Sequence, residues 1–97
     1  MIQKKDPLSV LIRETLAEEY PELLTADGFD DAILGVVEGC GRETVVCYDY
    51  GKCVQILMRD SKMDEAEAEE FLNFNTVGAY VGKETPMFLH NWRESMA

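Results

Sequence analysis

Two apolar, β-branched runs, Ala32-Ile33-Leu34-Gly35-Val36-Val37 and Thr44-Val45-Val46-Cys47-Tyr48, constrain this chain more than any other feature. Runs of this length and composition read as strands. The Gly39-Cys40-Gly41-Arg42 stretch between them reads as a hairpin connection. It is longer than the two-residue ideal, so a bulge or a wide loop is expected. A hairpin cannot cover its own apolar face, and most of the remaining segments carry helical rather than strand periodicity.

The first helix is signalled by Asp6 as cap and Pro7 at the first helical position, followed by Leu8, Leu11, Ile12 and Leu16 at spacings of three and four. Pro21 sets its end near Glu19 or Tyr20, and Thr25 to Gly28 reads as a loop. Asp49 stands as the next cap, with Tyr50, Cys53, Val54, Leu57 and Met58 at helical spacing, which predicts a helix to about Asp60. Asp64 with Glu67 forms a capping-box pattern that Met63 and Ala68 can staple. We extend this third helix through Tyr80 to a stop at Gly82, with a strand over Gly78 to Gly82 as the alternative. On it Phe71, Phe74, Val77, Gly78 and Val81 form one broad stripe that reads as core. Gly78 with Ala79 would let a neighbouring element approach closely. Thr85 to His90 suits an edge strand beginning at Pro86. The tail from Asn91 to Ala97 frays unless Trp92 docks.

The order α-β-β-α-α-β predicts one α+β domain over residues 1–97, with a small three-stranded, mainly antiparallel sheet and helices on one face. At 97 residues and 11.0 kDa the chain can bury close to two-thirds of its surface, enough for a core without staples.

Nineteen acidic against nine basic side chains leave a net charge of −10. That balance argues against a nucleic-acid or anionic-membrane binder and in favour of neutral, basic or metallic partners. The segment after Lys4 and Lys5 lacks the apolar region of a signal peptide, and no apolar run approaches the ~20 residues of a spanning helix. The three cysteines, Cys40, Cys47 and Cys53, are odd in number and fit a reducing cytosol, so a cytoplasmic location is expected.

Candidate chemistry is sparse. A zinc site of cysteines with His90 lacks the usual close Cys pair, and buried thiols explain the residues as well. Asp27, Asp30 and Asp31 lack the ligand pattern of a calcium loop. Gly39-Cys40-Gly41 lacks the Lys-Ser/Thr of a phosphate loop. No catalytic residue, metal site or cofactor is expected. Charge patterning carries more content: Glu14 through Asp31 hold seven acids and no base, and Asp60 through Glu70 hold six acids against Lys62. The candidate interaction surface is therefore Asp60, Asp64, Glu65, Glu67, Glu69 and Glu70, able to meet a basic patch on a protein. A solvated face is the competing explanation. Asn75, Tyr80 and Thr85 form a second candidate, a small pocket or partner surface at the end of the third helix.

The stretches Tyr48 to Met58 and Met63 to Ala68, and above all Phe74-Asn75-Thr76-Val77-Gly78-Ala79-Tyr80-Val81-Gly82-Lys83-Glu84-Thr85-Pro86-Met87-Phe88, resemble small uncharacterised proteins encoded by bacteriophages and prophages. The resemblance runs from about Asp31 to Phe88. It implies a phage-like origin and a bacterial cytosol, and it transfers no site. Three classes of function follow. The first is a phage-related, non-enzymatic protein that binds a host or phage protein through an acidic surface. The second is a small homo-oligomeric structural protein, with Gly78, Ala79 and the last strand at the contact. The third is an enzyme using carboxylate or cysteine chemistry, against which the single His and the missing nucleophile–base pair weigh.

Overall fold

The computed structural model describes residues 6–79 and 81–97. Helix α1 covers Pro7–Glu19, a 3-10 turn covers Asp30–Ala32, and strands β1 (Ile33–Val37) and β2 (Val45–Asp49) form the hairpin. Helix α2 (Tyr50–Asp60) follows β2 directly, α3 covers Glu65–Leu72 and runs into a π-helical turn at Asn73–Val77, and β3 (Met87–Leu89) precedes the short α4 (Trp92–Ser95). The protein is α+β, and the described residues form four α-helices and one three-stranded sheet in the order β1-β2-β3.

The caps sit where the side chains dictate. The Asp6 carboxylate accepts from the Leu8 amide at 3.1 Å, with Pro7 at the start of α1. Asp49 accepts from the Lys52 amide at 3.1 Å. The capping box of α3 is complete: Glu67 N–H donates to Asp64 at 2.8 Å, and Asp64 N–H donates to the Glu67 carboxylate at 3.0 Å. Each cap satisfies amides that the first helical turn leaves without partners.

The sheet is mixed rather than mainly antiparallel. β1 and β2 pair antiparallel, with a bulge between Ile33 and Gly35, whose φ of +150° favours glycine. β3 pairs parallel to β2, with Cys47 opposite Met87 and Tyr48 opposite Phe88. The cause is the connection. Returning from the end of β2 through α2 and α3 brings the chain back beside the start of β2, as in any crossover between parallel strands. β3 lies at the sheet edge, where Pro86 leaves no ladder amide missing.

The core joins Val46 and Tyr48 of β2 to Leu16 of α1, to Cys53, Val54, Ile56 and Leu57 of α2, and to Ala68 and Leu72 of α3. α1 contributes less than its pattern predicts, since Leu8 and Leu11 are exposed and only Leu16 is a buried apolar residue of that face.

The third helix does not continue to Gly82. It ends at Leu72, and the π turn closes with the Gly78 amide donating to the Asn73 carbonyl at 3.0 Å. A Cβ on Gly78 would lie 2.7 Å from that carbonyl, so the wide turn needs glycine here. The close approach foreseen at Gly78 is thus made by the chain's own backbone. An extra residue per turn rotates the following side chains off the core-facing line. Phe74, Val77 and Val81 are all exposed, as is Phe71 on the last turn of α3, and Ala68 and Leu72 are the residues of α3 that enter the core.

Candidate functional site

α3 is a ridge. Its buried edge, Ala68 and Leu72, is pinned against α2, and its carboxylates fall on two flanks. On one flank Glu67 and Glu70 share a groove with Met63, Phe71, Phe74 and Asn75. Phe74 is 84% exposed and Phe71 40% exposed. On the other flank Glu65 and Glu69 face a cleft whose far wall is the His90–Ser95 segment. The acidic surface read from the sequence is therefore two surfaces, each with aromatic side chains beside it.

The candidate acids are not equivalent. Asp60 is engaged by Arg59, whose Nε and Nη2 donate to its two oxygens at 2.7 and 3.1 Å, and this pairing holds the Asp60 carboxyl below its ordinary pKa. Arg59 also reaches Asp31 at 3.5 Å. Asp64 and Glu67 spend oxygens on the capping box. Glu65, Glu69 and Glu70 are exposed, and among the described residues no hydrogen bond or ion pair engages their carboxylates, so they present their charge outward.

Asn75 and Thr85 line one cavity of ≈ 290 Å³, whose apolar walls include Phe29, Val81, Pro86 and Phe88. Tyr80, the third member of that candidate, lies outside the described residues. Asn75 is exposed and donates to the Phe71 carbonyl at 3.1 Å, so it closes its own helix. The Thr85 hydroxyl is occupied as well, accepting from Val81 N–H at 2.9 Å and donating to the Gly82 carbonyl at 2.6 Å. Asn73 makes the longer link, its Oδ1 accepting from the Tyr50 hydroxyl at 2.8 Å. The opposite wall is held by Tyr48, whose hydroxyl accepts from Ala26 N–H at 2.6 Å.

Cys40 is exposed, while Cys47 on β2 and Cys53 on α2 are buried. Among the described residues no group of three His, Cys, Asp or Glu is placed to hold a metal ion, and no helix is long and apolar enough to cross a membrane. Burial, with the Asp49 charge adding to it, pushes the Cys53 thiol from its ordinary 9.0 up to about 12. In the unfolded chain the thiol ionises first. Stability is therefore expected to be intact below about pH 9 and to fall as pH rises toward about 12, since the unfolded state sheds a proton that the folded state retains. Urea unfolding across that window checks this. A Cys53→Ala variant should show a shallower decline, and an unchanged slope would contradict the assignment.

His90 enters the sequence reading only as a partner for the cysteines, and Glu94 and Trp92 carry no site signal there. Trp92 is 71% exposed at the start of α4 and shares the cleft with Glu65 and Glu69. Its one sequence signal is that it is the sole tryptophan of the chain, set in a polar tail.

No protein-family model, curated protein or solved structure matches this chain. Its site geometry therefore carries the functional reading.

Proposed function

We propose that this protein is a non-enzymatic binding protein, and that it docks a partner protein through the flank of α3 bearing Glu67, Glu70, Phe71 and Phe74. The observation that carries the proposal is the 84% exposure of Phe74 in a groove beside two carboxylates. Covering a phenylalanine is worth about 1.5–3 kcal/mol, so a large exposed aromatic next to a second one is a ready anchor. The carboxylates around it select a partner with basic residues ringing an apolar contact, because complementary charge speeds encounter and rejects acidic competitors. The resemblance to phage-encoded proteins adds a setting in which that partner is a host or phage protein in a bacterial cell.

The test is parallel capture from nuclease-treated bacterial lysate with parent, Phe74→Ser and Glu70→Gln baits. A partner retained by the parent should be weakened by roughly thirtyfold on the Phe74→Ser bait, the loss expected of an interface anchor. It should also be released by high salt from the parent and held less well by Glu70→Gln. Equal retention on all three baits would sink the proposal.

A further inference from the structure

We infer that the cleft on the other flank of α3 receives an arginine side chain presented by a partner protein. This goes beyond the Phe74 face and does not depend on it, since the two flanks share no lining residue.

The cleft has a volume of ≈ 450 Å³ and lies between α3 and the C-terminal segment, over the exposed side of α2. Its charged walls are acidic: Glu65 and Glu69 on α3, and Glu94 on α4. Asp49 also lines it, but one oxygen of that carboxylate is used on the Lys52 amide. Neither Lys52 nor Arg93 lines the cleft, and among the described residues its one basic side chain is the His90 imidazole, which is stacked on Tyr50. An anion would be repelled here, and a wholly apolar segment would strip water from three carboxylates without replacing it.

The aromatic side chains narrow the cation further. Trp92 stands exposed beside the carboxylates, on a helix that Asn91 caps through the Glu94 amide at 3.1 Å. His90 is stacked on Tyr50 with ring centroids 4.2 Å apart, and the Tyr50 hydroxyl is held by Asn73 at 2.8 Å. That wall of the cleft is thus fixed before any partner arrives. A guanidinium suits such a site better than an ammonium. It is planar and weakly hydrated, it lies flat on an indole, and its fork of donors reaches two carboxylates at once. Stacked on Trp92, it would place those donors toward the acidic walls.

Because Trp92 is the sole tryptophan, its fluorescence reports the site directly. The purified protein is titrated at low ionic strength with a blocked peptide of alternating arginine and glycine, and with the same peptide carrying citrulline, the neutral isostere, or lysine. The expected result is a saturable change in Trp92 emission with the arginine peptide and none with citrulline. Affinity should fall roughly tenfold in the Glu65→Gln/Glu69→Gln variant and less in Glu94→Gln alone. Phe74→Ser should bind the peptide like the parent, which separates this inference from the docking face proposed above. Any one of three results overturns it: no saturable change, undiminished binding by Glu65→Gln/Glu69→Gln, or an equal loss in a Glu18→Gln/Glu19→Gln control on α1. Lysine binding as tightly as arginine overturns the choice of guanidinium.

Discussion

Replacing Tyr48 by phenylalanine is expected to destabilise the protein by about 1–3 kcal/mol, and replacing it by alanine by about 3–5 kcal/mol. The side chain is fully buried in the central strand, and its ring stacks on Phe88 of β3 with centroids 5.5 Å apart. Its hydroxyl is the acceptor for the Ala26 amide. Phenylalanine keeps the ring and the stack but leaves that amide without its partner. Alanine also removes the ring that joins β2 to β3 and opens a cavity among the residues around it. Urea unfolding separates the two contributions, because the difference between the variants isolates the ring. A Tyr48→Phe protein as stable as its parent would mean that water satisfies the Ala26 amide. The double consequence follows from where Tyr48 sits: one end of it holds the loop that walls the Asn75/Thr85 cavity, and the other holds the strand behind it.

Replacing Leu72 by alanine should cost about 2–5 kcal/mol. Leu72 is fully buried and, with Ala68, is the part of α3 that enters the core. Total stability for a domain of this size is about 5–15 kcal/mol, so this one truncation removes a large fraction of it. Phe74→Ser, two residues further on, should stay within about 0.5 kcal/mol of the parent because the ring is already in solvent. The pair decides between the two explanations of the Phe stripe. If Phe74→Ser destabilises as Leu72→Ala does, the stripe is core and the docking face is lost. If only Leu72→Ala does so, Phe74 is free to serve a partner.

Much of the fold is legible in the sequence because its signals are local. The strands of the hairpin, the Asp49 cap and the Asp64/Glu67 box are written within a few residues of the elements they define, and each falls close to its predicted place. What is not legible depends on distant or collective geometry. The direction of β3 is set by how the whole stretch from Tyr50 to Pro86 travels, and nothing in Met87-Phe88-Leu89 encodes it. The π turn places the Asn73 carbonyl where only a glycine at position 78 fits, a condition that a periodicity of 3.6 cannot register. For the same reason, the apolar stripe after Leu72 points to solvent although its spacing suits a core.

The candidate site divides along similar lines. Acids on α3 are visible as a composition run. Which of them are spent on a cap or on Arg59, and which are free, depends on bond geometry that composition does not carry. Asn75 and Thr85 do share a cavity, yet both are engaged in closing their own segments. The cleft with Trp92 joins residues from α2, α3 and the C-terminal segment, so no window along the chain contains it.

The parallel pairing of β3 also bears on how the protein reaches this structure. Cys47 and Met87 are partners 87 − 47 = 40 positions apart, whereas β1 and β2 meet across a short connection and α2 and α3 are neighbours in the chain. Closing a loop of that length brings a chain-entropy cost that the hairpin and the helix pair do not meet. Contacts of such separation are slow to form, and the β2–β3 pairing is expected to follow the local ones. The hairpin and the two helices can therefore assemble first, and arrival of the third strand is the step that carries His90 and Trp92 to the flank of α3. The cleft is then expected to be completed by the last closure, and Trp92 fluorescence would time that event in a refolding experiment.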